Sequence, residues 1–263
     1  MDPSELARAG LRFSVDGQVA TLTLDRPEVR NAQTPTMWRA MAAVGRQIPD
    51  EVRVVVVTGE GSTFSAGLDR RMLDPNGGDG EETVAGLLAR SDAEISETID
   101  AYQQGFTFLR DPRFVSIAAV RGYAVGAGFQ LALSCDLRVA AEDAQFCMKE
   151  AALGLVPDLT GTKPLVEAVG PARALEICAT ARMVGAAEAG RIGLVLDVVP
   201  GDRLDDRVAD LSAALCAPMP GVVSETKALL QGARDRDLDE QRRLEREAQV
   251  RRFRALAAAL AGG

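Results

Sequence analysis

The chain has 263 residues, a net charge of −8 and no histidine, with 47% hydrophobic and 26% charged residues. That is enough chain for one soluble α/β domain with a full core, and the acidic balance argues against a nucleic-acid partner, which needs a concentrated basic face. No apolar run approaches the ~20 residues that span a bilayer and Met1-Asp2-Pro3-Ser4-Glu5 is no secretory signal, so a cytoplasmic protein without membrane association is expected. Residues 11 to 24 alternate around Asp16-Gly17, which predicts a β-hairpin. Thr36 to Val44 reads as a helix after the Pro35 start. Val52 to Thr58, nearly all valine, predicts a strand in a sheet covered on both faces. Residues 74 to 86, rich in glycine and acid, read as a surface loop, and 92 to 109 as a helix. Ser116 to Val120 predicts another apolar strand, Gly128 to Ser134 a short helix, and Leu137 to Ala141 a strand.

This alternation indicates an α/β fold with crossover connections. From about Asp202 the pattern is wholly helical, ending in the charged segment Asp237 to Leu260. We therefore divide the chain into a core, residues 1–200, and a helical region, residues 201–263. Cys135, Cys147, Cys178 and Cys216 are widely spaced, without a Cys-x-x-Cys pair. Reduced thiols are expected, not a disulfide frame or a zinc site. The absence of histidine removes the usual general base and the commonest metal ligand, and a Ser-His-Asp triad is impossible. Acid–base chemistry falls first to Asp and Glu, with Lys, Tyr and Cys as the second choice, and no motif for a metal, a nicotinamide or a flavin is present.

Two stretches carry most of the functional information. Phe64-Ser65-Ala66-Gly67-Leu68-Asp69 is read as the end of a strand, and Arg121-Gly122-Tyr123-Ala124-Val125-Gly126-Ala127-Gly128-Phe129-Gln130-Leu131 as the join between a strand and a helix. Glycine at such places lets backbone N–H groups face a cavity closely. The second stretch also opens a helix, whose free N–H groups and dipole favour negative charge. A pair of these groups from distant parts of a sheet makes an oxyanion hole for a thioester, each donor contributing about 2.7–4 kcal/mol to lowering the barrier.

With Leu24-Asp25-Arg26-Pro27-Glu28-Val29-Arg30-Asn31-Ala32 before them and Gly193-Leu194-Val195-Leu196-Asp197-Val198-Val199 after, these motifs resemble, in order, those of the crotonase (enoyl-CoA hydratase/isomerase) superfamily. The resemblance implies a spiral of ββα units with a C-terminal helical region that packs on neighbouring subunits, as a homotrimer or a dimer of trimers. It implies an acyl-CoA thioester as substrate, and no cofactor beyond the coenzyme A that the substrate carries. The backbone N–H groups of Leu68 and Ala127 would hold the thioester oxygen. Ala66, Gly67, Asp69 and Gly126 would line the substrate site beside them. Relatives usually carry glycine in place of Ala127, but a main-chain donor survives that change. Arg26, Val29 and Arg30 match the segment that relatives use to hold coenzyme A, where guanidinium groups suit phosphates.

The resemblance also places Glu150 at the catalytic glutamate of the hydratases. Flanked by Phe, Met, Ala and Leu, its carboxyl should titrate above the ordinary range. Where two-carboxylate hydratases carry a second glutamate, this chain has Gln130. A carboxamide can orient a water or the thioester but cannot exchange a proton near neutral pH. Asp158, eight residues after Glu150, stands where hydratases generally have glycine and dienoyl-CoA isomerases have a proton-exchanging aspartate. It is also placed to cap a helix beginning at Leu159. The first reading is thus double-bond isomerisation in an enoyl- or dienoyl-CoA, with Glu150 and Asp158 moving the proton and Gln130 orienting. The second is a 2-enoyl-CoA hydratase working through Glu150. The third is an acyl-CoA-binding protein without catalysis.

Overall fold

Asp16 and Gly17 begin the turn between β1 (Leu11–Asp16) and β2 (Val19–Leu24), which pair antiparallel. In the computed structural model, which describes residues 2–74 and 82–261, this hairpin forms one edge of a six-stranded sheet. The later strands are β3 (Val54–Gly59), β4 (Val115–Val120), β5 (Tyr123–Val125), β6 (Leu137–Ala141), β7 (Gln145–Cys147), β8 (Val184–Gly185) and β9 (Asp197–Val199). The large sheet runs β1-β2-β3-β4-β6-β9 and is parallel from β2 onward. A smaller sheet holds β5, β7 and β8.

The helices of the core are α1 (Pro3–Arg8), α2 (Pro35–Gly45), α3 (Val84–Leu88), α4 (Asp92–Thr107), α5 (Ala127–Ser134), α6 (Thr162–Val169), α7 (Pro171–Thr180) and α8 (Ala186–Arg191). Ser65 bridges Ala124, and Gln33 bridges Leu68, so residues 64–68 lie alongside β5 in the smaller layer. Each turn of the chain therefore lays one strand in the large sheet, one segment in the small layer, and then a helix. This is the expected α/β spiral: β3, residues 64–68 and α4; β4, β5 and α5; β6, β7 and α6.

The valine run explains itself once the sheet is closed. Val55 and Val57 enter the main core with Trp38, Phe64, Phe106 and Phe129. Val54 and Val56 face the other way, against Ile117, Val139, Leu204 and Val208. Both faces are covered, which removes the polar alternation of a half-exposed strand. On the core side α2 meets α4, with the rings of Trp38 and Tyr102 4.9 Å apart. The helices come so close that a β-carbon on Gly105 would lie 2.3 Å from the Trp38 carbonyl oxygen.

Three local expectations change. Residues 64–69 do not end a strand: β3 stops at Gly59, and a turn through Gly61, at φ 77°, separates the two. The second glycine motif contains a strand of its own, β5, between β4 and α5. Within the loop expected over residues 74 to 86, residues 75–81 lie outside those described, and Thr83 starts α3. Its hydroxyl accepts from the Gly86 N–H at 3.1 Å, a local bond that composition alone does not reveal.

Beyond residue 200 the described elements are helical: α9 (Leu204–Cys216), α10 (Val222–Leu230) and α11 (Leu238–Ala261), with short 3-10 turns between. Lys227 ties α10 to the core. It is buried, pairs with Asp136 at 2.7 Å, and donates to the carbonyls of Asp111 and Phe114. α11 buries Ala248 and leaves Val250, Phe253, Leu256 and Leu260 exposed. No helix among the described residues is long and apolar enough to cross a membrane. All four cysteines are free thiols, and burial pushes the Cys135 thiol up to about 12.

Removing one member of a buried ion pair strands the other charge, so Lys227→Ala should cost about 3–5 kcal/mol of unfolding free energy. Urea denaturation followed by circular dichroism measures this, and a loss below about 1 kcal/mol, typical of an exposed pair, would show that Lys227 does not tie the tail to the core.

Candidate active site

The first N–H group is held in place by a buried polar network. Arg30 and Asn31 both adopt left-handed backbone, at φ 56° and 54°. For a residue with a β-carbon such conformations cost about 1–3 kcal/mol and persist only where surrounding bonds over-determine them. Asn31 supplies those bonds. Its Nδ2 donates to the carbonyls of Glu60 and Thr63, its Oδ1 accepts from the Arg26 N–H, and its carbonyl accepts from Ser65 Oγ at 2.8 Å.

Ser65 is the centre of the network. Its hydroxyl accepts from Gln33 Nε2 at 3.0 Å and from the Gly67 N–H at 3.2 Å while donating to Asn31. One donor and two acceptor sites are thereby filled. Gln33 is in turn oriented by the Trp38 indole, which donates to its Oε1 at 2.8 Å. Flanking bonds run from Ala66 N–H to Arg30 and from Asp69 N–H to Gln33. The Leu68 N–H, between them, has no acceptor among the described residues.

The second N–H group comes from the start of α5. Gly126 sits at φ 51°, ψ −120°, a conformation open to glycine alone. Its N–H bonds back to Cys147, and the next residue begins the helix. The Ala127 N–H likewise has no acceptor among the described residues. Gly67 brings the two together. At φ 89° it lies so close to the second segment that a β-carbon would meet the Val125 carbonyl oxygen at 2.3 Å and Ala127 N at 3.4 Å. Two unpaired donors, one at a helix N-terminus, thus occupy neighbouring backbone, the arrangement that suits a developing oxyanion.

Glu150 lies beside this pair. It follows β7 after two residues and opens a 3-10 turn, so the strand does not persist to it. Lys149 is exposed, whereas Glu150 keeps only 8% of its surface. Its Oε1 would be 3.4 Å from a β-carbon on Gly126, and its Oε2 is buried with no hydrogen-bond partner. Burial raises the Glu150 carboxyl above the usual carboxylate range, its own backbone N–H and then the Gln130 amide draw it back, and the charge of Asp158 raises it further. Asp158 is itself raised by the protein around it, although its side chain still reaches water.

One expectation about these groups is corrected, that of an Asp158 cap. Gln130 is completely buried. Its Nε2 donates to Glu150 Oε1 at 2.7 Å, and its Oε1 accepts from the N–H groups of Leu159 and Gly161. Asp158 caps no helix, because α6 begins only at Thr162 after Gly161. The Asp158 carbonyl accepts from Gln103 Nε2 at 2.7 Å, which ties its loop to α4.

The phosphate-binding expectation for Arg26 is also revised. Its guanidinium turns inward, donating to the Ala32 carbonyl and to Asp69 Oδ2 at 3.1 Å. Asp69 is buried and held at about 2, chiefly by the Arg71 side chain. Arg26 and Asp69 therefore brace the first donor segment, while Val29 and Arg30 are exposed at its outer edge. Asn31, Gln33, Ser65 and Trp38 were not singled out from sequence, although Asn31 and Ser65 stand inside the recognised motifs. Among the described residues there is no cluster of His, Cys, Asp and Glu that could hold a metal ion.

Residues 14–258 match the family model for enoyl-CoA hydratase/isomerase. The chain belongs to that family. A Rhizobium meliloti relative named as an enoyl-CoA hydratase is 35% identical over 196 residues, 74% of this chain and 70% of its own. Carnitinyl-CoA dehydratase of Salmonella arizonae is 33% identical over 249 residues, 94% of this chain and 89% of its own. Among solved structures, a Thermobifida fusca YX protein described as an enoyl-CoA hydratase, in complex with acetoacetyl-CoA, superposes with a TM-score of 0.93 at 52% identity, covering 97% of this chain and 98% of that one. This family member therefore has the crotonase fold and the apparatus of an acyl-CoA enzyme.

Gly67→Ala tests the contact that joins the two donors. It should lower turnover of a CoA thioester by at least ~10²-fold, the cost of one lost oxyanion donor, in steady-state kinetics on folded protein. Unchanged turnover would show that the donors do not depend on this approach.

Proposed function

We propose that the protein shifts a carbon–carbon double bond in an enoyl- or dienoyl-CoA, with Glu150 and Asp158 as the proton-transfer pair. The observation that carries this reading is the carboxyl pair itself. Glu150 lies against Gly126, next to the free Ala127 N–H, its Oε2 is buried without a partner among the described residues, and Asp158 lies near enough for its charge to act on Glu150. Burial raises both carboxyls above the usual carboxylate range, and Glu150 feels the charge of Asp158 as well.

The thioester oxygen would accept from Leu68 and Ala127. Negative charge that builds up when an α- or γ-proton leaves is then met by donors that need no reorganisation. Glu150 would take that proton, and the pair would return one at the other end of the allyl system. Coenzyme A would lie along residues 26–30, with Arg30 supplying the exposed cation. The exposed apolar side of α11, with Val250, Phe253 and Leu260, is the surface we assign to packing between copies in a homo-oligomer.

Hydration of a 2-enoyl-CoA is the second reading, favoured by the names that the relatives carry. Glu150 and Asp158 would then hold and split a water. Product mass separates the two, since hydration adds one water and isomerisation leaves mass unchanged. Incubation with 2-enoyl-, 3-enoyl- and 3,5-dienoyl-CoA should give an isobaric product from one of the latter two. A heavier product from the 2-enoyl ester alone would replace isomerisation by hydration.

Either reaction makes Glu150→Gln lose about 10²–10⁴-fold in kcat. The sign of the pH dependence follows from burial. Glu150 must be ionised to accept a proton, so kcat/KM should rise with pH through a midpoint above the ordinary glutamate value of about 4.3. A midpoint at or below that value would remove Glu150 as the base.

A further inference from the structure

A glutamine amide has an acceptor end and a donor end, and its neighbours decide which way it points. At Gln130 the decision is complete. The backbone N–H groups of Leu159 and Gly161 can only donate, and they lie 2.8 and 3.2 Å from Oε1. Nε2 must then face Glu150, where it meets Oε1 at 2.7 Å. The loop fits closely around the amide, since a β-carbon on Gly161 would sit 2.7 Å from Gln130 Cγ.

A donor at 2.7 Å needs an acceptor. The Glu150 oxygen that faces Gln130 is therefore the one that carries no proton in either charge state. The remaining oxygen, Oε2, is the buried atom without a partner. We infer that Gln130 is a positioning residue that assigns the transferable proton of Glu150 to Oε2, and that the same amide sets the Asp158 loop against Glu150 through Leu159 and Gly161. This rests on Glu150 as the proton-transfer group of the proposed reaction.

The chemistry also explains why a carboxylate at this position would behave differently. A glutamate could accept both loop N–H groups equally well. Its second oxygen, however, would face Glu150 Oε1 as a like charge or share a proton with it. Glu150 would then be one half of a buried dyad, and its proton would be held on Oε1 between the two carboxyls. Glutamine keeps the loop bonds while leaving Glu150 to titrate through Oε2.

The test is an infrared pH titration of the substrate-free protein, with the Glu150 carboxyl band assigned by its loss in Glu150→Gln. In Gln130→Met, which removes the amide donor, the midpoint of that band should rise by about 1 unit, or tenfold less carboxylate at a given pH below it. In Gln130→Glu the midpoint should rise at least as far and the titration should split into two coupled steps. In both variants kcat should fall on the acid side and recover as pH rises, with KM held within about twofold; a merely structural residue would lower activity equally at every pH.

An unmoved Glu150 midpoint in Gln130→Glu, or an activity loss independent of pH, would overturn the assignment. That variant keeps both loop hydrogen bonds, so it decides the matter even if Gln130→Met does not fold. The titration needs no substrate. Full turnover by Glu150→Ala with a shifted band in the Gln130 variants would reject the proposed reaction, and with it the catalytic use of the proton, while leaving the control of the Glu150 carboxyl by Gln130 standing.

Discussion

The α-carbon of Gly67 and the carbonyl of Val125 approach so closely that no other side chain fits between them, and the rest of the site is arranged around that contact. It brings together two chain segments that belong to successive turns of the spiral. Each contributes a backbone N–H that the protein leaves unpaired. An unpaired donor away from water costs about 1–3 kcal/mol, so a chain free to relax would turn such groups toward the nearest acceptor. The bonds through Asn31, Gln33, Ser65 and Trp38 oppose it by fixing the backbone around the first donor. The rigid polar network is thus the structural cost of two free donors.

Without histidine, the acid–base role we propose falls to a carboxyl with a shifted titration instead. Burial raises Glu150, and two neutral donors, its own backbone N–H and the Gln130 amide, limit the rise. The balance differs from that of a carboxylate pair in direct contact, where a shared proton dominates both groups. Here the second carboxyl, on Asp158, acts on Glu150 through its charge and stays in contact with water. The four thiols have no part in this balance that the geometry shows, and Cys147 turns its Sγ to the Ala181 carbonyl.

How much of this was legible depends on the range of the interactions. The hairpin followed from Asp16-Gly17, and the doubly covered strand from the valines of β3, because turn chemistry and burial pattern are local properties. The two glycine motifs announced backbone close to a ligand for the same reason. Arg26 illustrates the opposite case. Its guanidinium reads as a phosphate ligand, yet Asp69 lies 43 residues away and draws it inward. Asp158 reads as a helix cap, but Gln130 holds the following N–H groups from 29 and 31 residues upstream, and the helix starts later.

The amino-acid sequence by itself determined the hairpin, the doubly covered strand β3, the helical tail, the glycine-bearing turns of the two motifs, and that no histidine can serve in proton transfer. It did so because propensity, periodicity and side-chain chemistry reside in single residues and their near neighbours. Only the tertiary structure decided which donors remain free, which way the Gln130 amide points and which oxygen of Glu150 is left without a partner. Those outcomes depend on hydrogen-bond competition among residues far apart in the chain, and that competition is settled only when the layers close.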